Sequence, residues 1–117
     1  MAFYLVQASY QTKAWAALVR TPQNRLNIAD PVVKNLGGII ECAFMAFGDY
    51  DSIAILKMPD NVSAASLSMA LLASGVFKAI KTTPLMTWED GVAAMKKAKK
   101  AAYQPPGDES VYLNREG

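Results

Sequence analysis

Apolar and polar positions along the chain fall into runs whose period changes several times, and the changes mark the elements. The clearest stretch is Gly38 to Met58: an apolar run Ile39–Phe47, the turn Gly48-Asp49-Tyr50-Asp51, and a second apolar run Ile53–Met58. Two such runs separated by turn-forming residues predict a β-hairpin. Its first strand spans Gly38–Phe47, with Ile39, Glu41, Ala43, Met45 and Phe47 on one face and Ile40, Cys42, Phe44 and Ala46 on the other. The second strand spans Ser52–Met58. Pro59, which has no N–H for a ladder, ends it.

The other elements are placed around this hairpin. Ala2–Ala8 is rich in β-branched and aromatic residues and predicts a first strand. Gln11–Arg20 has helical spacing, with Trp15, Leu18 and Val19 on one face. Thr21-Pro22 breaks it, and Asp30-Pro31 predicts one last turn carrying Val32, Val33 and Leu36 before Gly37-Gly38 supplies a left-handed cap. Asp60 caps a helix over Val62–Ser74, whose inner face is Leu67, Ala70, Leu71 and Ser74, and Gly75 closes it. Val76–Thr83 is predicted as an edge strand, with two outward lysines. Thr87 caps a last helix that runs to about Ala102, with Glu89 and Asp90 at the positive end of its dipole and Lys96, Lys97, Lys99 and Lys100 towards the negative end.

The order is β-α-β-β-α-β plus a C-terminal helix, an α+β pattern of the ferredoxin-like kind, in which helices cover one face of a four-stranded antiparallel sheet. Residues 1–103 form a single domain in this reading. The Pro/Gly/polar segment 104–117 is expected to be a flexible tail.

The hairpin and first strand do not alternate cleanly. Phe3 and Leu5 oppose Tyr4 and Val6; Met45 and Phe47 oppose Ile40 and Phe44. A sheet with one wet face should alternate apolar and polar residues, so both faces are expected to be covered. A second copy of the chain is the expected cover, giving a homodimer or higher homo-oligomer; the C-terminal helix folding over that face is the competing arrangement. Composition points the same way. Hydrophobic residues make up 52% of the 117 positions, slightly above the globular norm of about 45–50%.

Composition also excludes several chemistries. There is no histidine, which removes a Ser-His-Asp triad, a His-ligated haem and a His-rich zinc site within one chain. The single cysteine, Cys42, permits no intrachain disulfide. The net charge of +2 implies no polyanionic partner. No secretory pattern and no membrane-length apolar run are read, so the expectation is a cytoplasmic protein with no membrane and no nucleic acid among its partners, no metal and no cofactor.

The succession Leu36-Gly37-Gly38 after a helix, then a strand, Gly48-Asp49-Tyr50-Asp51, an apolar strand and Pro59-Asp60 before an Ala-rich helix resembles the GYD-domain family. A Thr-rich last strand and the pair Trp88-Glu89 opening the following helix extend the resemblance over roughly residues 2 to 100. It implies a ferredoxin-like fold of the dimeric α+β barrel type and brings no established activity with it.

Candidate pocket residues are Tyr4, Glu41, Asp49, Tyr50, Asp51 and Trp88. In the turn, the Tyr50 hydroxyl and the Asp49 and Asp51 carboxylates have the chemistry of a pocket with a general base. The same residues also suit a plain turn, with Gly48 at positive φ and an Asp holding backbone amides. Glu41 is either a pocket acid or the cross-strand partner of Lys57. Cys42, set mid-strand among apolar neighbours, reads as an inert core thiol. The C-terminal lysines read as a solvated helix end, and Met69 with Leu67, Leu71 and Leu72 as core. The expected function is a small homo-oligomeric protein, holding a small molecule between sheet and helices. The alternative is a cofactor-free enzyme of monooxygenase, isomerase or lyase type, by fold analogy alone.

Overall fold

The computed structural model describes residues 1–107. The chain divides into two compact units, one of Met1–Leu85 and one beginning at Met86. In the first unit the elements are β1 (Ala2–Tyr10), α1 (Thr12–Arg20), α2 (Leu26–Asn35), β2 (Ile39–Met45), β3 (Ser52–Met58), α3 (Asn61–Ala73) and β4 (Phe77–Leu85); α4 (Trp88–Ala101) belongs to the second. The four strands form one antiparallel sheet in the order β2-β3-β1-β4, so the α+β, ferredoxin-like arrangement predicted from the pattern is the one observed, with β4 at an edge. The expected tail begins within the described residues, and its part from 108 to 117 lies outside them.

The register sorts the side chains. Tyr4, Val6 and Ala8 of β1 pair with Leu56, Ala54 and Ser52 of β3, and Met58 pairs with Ala2. Tyr4, Leu56 and Met58 are buried together with Val33 of α2 and with Ala64 and Leu67 of α3. α2 and α3 therefore pack on this face, and the core fills the space between helices and sheet. α3 is held there by polar contacts as well. The Tyr4 hydroxyl donates to Asn61 Oδ1 at its first turn, and Ser68 Oγ and Thr82 Oγ1 share a hydrogen bond of 2.7 Å.

Three local departures from the sequence reading have physical causes. α2 begins well before Asp30 because the Asn24 side chain accepts the Leu26 N–H at 3.0 Å, and it runs straight through Pro31. One interior proline withholds one N–H, here from the Asn27 carbonyl, and the helix absorbs that. β4 continues through Pro84, opposite Tyr4; on an edge strand the missing donor can face away from the ladder. β2 stops at Met45, leaving Phe47 outside the sheet and fully exposed.

The largest departure is in β2. Its register slips between Ile40 and Cys42: Ile40 pairs with Leu56 and Cys42 with Ile55, leaving Glu41 as the extra residue of a β-bulge. Every later residue of the strand changes side relative to strict alternation. Ala43 and Met45 join Ile40 on the helix-covered face, while Cys42 and Phe44 join Ile39 on the other. Cys42 is consequently exposed, and the expectation of a buried core thiol is corrected. The second face of the sheet then consists of Phe3, Leu5 and Gln7, Ile53, Ile55 and Lys57, Ile39, Cys42 and Phe44, and the β4 residues Ala79, Lys81, Thr83 and Leu85. Phe44 is 70% exposed on it and Ile39 49%.

Helix ends follow their caps. Asp60 Oδ1 accepts the Ser63 N–H at 2.8 Å, and that bond, seconded by the Ser63 hydroxyl, holds the Asp60 carboxyl below its usual range. Gly37 and Gly75 close α2 and α3 at φ 80 and 77. In the second unit, Thr87 Oγ1 accepts the Asp90 N–H at 3.1 Å, and α4 ends at Ala102 in the left-handed region.

Candidate functional site

The β2–β3 turn, the stretch with the richest side-chain chemistry, is clasped to the end of β1. The Asp51 N–H donates to the Ala8 carbonyl at 2.8 Å, and the Asp51 carbonyl accepts the Ala46 N–H at 2.9 Å. Ser9 Oγ donates to the Asp49 carbonyl at 3.1 Å. The Asp51 side chain does what a turn aspartate does at longer range: its Oδ2 accepts the Tyr10 N–H at 2.9 Å and the Trp15 indole N–H at 3.3 Å. One carboxylate oxygen thus ties together the hairpin, the last residue of β1 and the first turns of α1.

Above this clasp sits an aromatic cluster. Tyr10 stacks on Phe77, with ring centroids 5.1 Å apart and an interplanar angle of 21°. Trp15 meets Tyr10 edge-on at 5.4 Å. Burial pushes the Tyr10 hydroxyl above its usual pKa; Arg25 pulls it back and Asp51 adds to the rise. Neither Tyr10 nor Phe77 is singled out by the sequence pattern, because the apolar period of β1 fades at Ala8. An aromatic at a strand end with a tryptophan one turn into the next helix is the signal that would have found the pair.

The candidate residues separate. Asp49 and Tyr50 line an open hollow of about 310 Å³ together with Gln7, Ala46, Phe47, Gly48 and Ile53. Gln7 and Ile53 are direct cross-strand partners on the second face of the sheet, so this hollow lies where that face meets the hairpin. Asp51 is occupied in the clasp. Tyr4 is a core residue whose hydroxyl is satisfied by Asn61, which corrects its place among pocket residues. Glu41, in the bulge, pairs with Lys57 at 3.2 Å, the blander of its two readings, and Lys57 Nζ lies 5.2 Å from the centre of the Phe3 ring. Trp88 opens α4 and is exposed. Gly48 does not take the positive φ expected of it, and a Cβ there would meet nothing. Among the described residues no three His, Cys, Asp or Glu side chains come together in a way that could hold a metal.

A second hollow, of about 360 Å³, lies between α2 and the edge strand β2, lined by Leu26, Asn27, Asp30, Pro31 and Ile40. Asp30 there is already paired with Lys34 at 2.8 Å.

The GYD-domain profile matches residues 4–95, and the chain belongs to that family. No curated protein matches it. Among solved structures, that of MtbAldR is similar at 14% identity and a TM-score of 0.50, over 74% of this chain and 52% of that one; the likeness is one of fold, and this chain spans about half of that protein. FFRP-DM1 is similar at 10% identity and a TM-score of 0.45, over 74% of this chain and 100% of that one. A protein of unknown function from Nitrosomonas europaea, NE2512, is similar at 18% identity and a TM-score of 0.39, over 73% and 88% of the two chains.

Proposed function

We propose that this GYD-domain chain is a small-molecule-binding subunit of a homo-oligomer, pairing through the second face of its sheet so that the hairpin hollow is roofed by the other copy. The observation that carries the reading is Phe44, 70% exposed beside Ile39 on a strand face that also bears Phe3, Leu5, Ile53 and Ile55. Fully burying a phenylalanine or isoleucine side chain contributes about 1.5–3 kcal/mol, so a second copy covering this face gains several such terms. A two-fold axis presents the same apolar surface twice, and the surface is then its own complement.

The hollow supports the binding half of the reading. Gln7, Asp49 and Tyr50 line it together with Ala46, Phe47 and Ile53, a mixture of a few polar residues among apolar ones that suits a small organic ligand. The space directly between helices and sheet is taken by the core. The site proposed is therefore displaced from the cleft expected in the sequence reading to the sheet face opposite it.

Sedimentation velocity on the full chain and on Phe44→Glu tests the pairing. The wild type sediments as more than one chain, and Phe44→Glu as a smaller species with an unchanged circular dichroism spectrum. A wild-type protein that sediments as one chain at high concentration, or a substitution without effect on mass, overturns the proposal.

A further inference from the structure

One row of the sheet carries a charge that nothing answers. Gln7 of β1 pairs with Ile53 of β3 on one side and with Lys81 of β4 on the other, and Ile53 pairs in turn with Phe44 of β2. Lys81, Gln7, Ile53 and Phe44 thus stand side by side across all four strands on the second face, neighbours about 5 Å apart at Cβ. Gln7 and Ile53 also line the hairpin hollow, so Lys81 stands one strand beyond it.

Two lysines lie on this face, and one of them has a counter-charge. Lys57 is 3.2 Å from Glu41, and its Nζ lies 5.2 Å from the centre of the Phe3 ring. The Lys81 side chain makes no ion pair or hydrogen bond among the described residues, and neither does the Gln7 amide. Apart from the bulged Glu41, every other strand residue on the face is uncharged. In a single chain Lys81 is exposed to water and needs nothing more. Under a second copy it loses that water, and an ammonium withdrawn from water without a counter-charge is strongly unfavourable.

We infer that the ligand of the hairpin hollow is a small organic monocarboxylate, its carboxylate held by Lys81 and the Gln7 amide and its apolar part set against Ile53 and Phe47. The inference rests on the pairing proposed above. Two N–H donor groups on adjacent strands match the two oxygens of a carboxylate. Ala46, Phe47 and Ile53 suit an apolar body, and a hollow of about 310 Å³ is at the small end of ligand pockets. The charge count limits the ligand to one negative charge. Lys81 is a single cation and Asp49 lines the same hollow, so the second charge of a phosphate monoester would find no cation and would be repelled by an acid.

Calorimetric titration of the full chain with benzoate and with hexanoate, each against its neutral amide, tests this beside sedimentation velocity. Lys81 is exposed, so Lys81→Met and Lys81→Arg keep the wild-type circular dichroism spectrum. At least one acid binds the wild type about tenfold or more tighter than its amide, the worth of one charge-assisted hydrogen bond. Lys81→Met loses that preference and Lys81→Arg keeps it. Phenyl phosphate binds more weakly than benzoate; tighter binding overturns the single-charge ligand. If the wild type pairs but neither acid is preferred, Lys81 has kept its water past the edge of β4: the pairing stands and the carboxylate site is overturned. If the wild type sediments as one chain while an acid is preferred through Lys81, the pairing fails and the site stands without it. Dissociation of the acid-free pair by Lys81→Met and equally by Asp49→Asn would make Asp49 of the other copy the counter-charge, and the ligand is then overturned.

Discussion

Trp15 and Asp51, 36 positions apart in sequence, are joined by a hydrogen bond of 3.3 Å from the indole N–H to Oδ2, and the same oxygen accepts the Tyr10 N–H at 2.9 Å. A residue chosen from the sequence for its acid chemistry is thus a tie between three elements. Hydrogen bonds to a charged acceptor contribute about 1.5–3 kcal/mol in favourable cases. Asp51→Ala is expected to lower stability by about 2–3 kcal/mol, read as a melting temperature lower by on the order of 10 °C. Asp51→Asn, which keeps one acceptor oxygen, costs about half as much. An intact melting temperature in Asp51→Ala would mean that the clasp holds nothing.

Tyr10 makes the fold sensitive to alkali. Its hydroxyl is raised above the ordinary value of 10.0, chiefly by burial, with Arg25 opposing and Asp51 assisting. Where the folded pKa is the higher one, the unfolded chain releases its proton first. The stability is full below about pH 10 and declines as pH rises through the folded value. Tyr10→Phe should flatten that part of the pH–stability curve, read as chemical denaturation midpoints measured across the alkaline range. Equal alkaline slopes for the two proteins would contradict this.

Gly38 and Gly48 look alike in sequence and differ in space. A Cβ at Gly38 would come within 2.3 Å of Met58 Sδ, 2.9 Å of the Lys57 carbonyl and 3.0 Å of Val33 Cγ1, whereas one at Gly48 meets nothing. Gly38→Ala is expected to cost about 2–3 kcal/mol in chemical denaturation, an overpacking penalty. Gly48→Ala should lie within about 0.5 kcal/mol of the wild type.

Cys42 reports on the sheet face it shares with Phe44. If a second copy covers that face, the thiol reacts slowly with a water-soluble disulfide reagent in the wild type and at least tenfold faster in Phe44→Glu. Equal rates would argue that Cys42 is open to solvent in both, and hence that the face is uncovered.

The sequence made the element order legible because period, caps and breakers agreed: Asp60 before α3, Thr87 before α4, and Gly37 and Gly75 after their helices all stand where the pattern put them. The Glu41–Lys57 pair was legible for the same reason, as neighbours on adjacent strands. What was not legible depends on non-local geometry. Tyr4 is rich in pocket chemistry, but only the register reveals that it faces Leu56 and Val33 in the core. Met69 and Leu72 look like core residues beside Leu67, and only their phase around α3 places them outside. Nothing in the local pattern announced the slip at Glu41, which decided the fate of Cys42 and Phe44.

A strand has two sides, and ordinarily position along it is a matter of odd and even. At Glu41 the count skips: Ile40 and Cys42 occupy consecutive rungs opposite Leu56 and Ile55. The chain is therefore arranged as though that residue were absent. Removing it altogether would forfeit the tether to Lys57 yet leave Ile39, Cys42 and Phe44 pointing as they do now. β2 therefore holds one residue more than its ladder needs, and the spare is its most conspicuous acid.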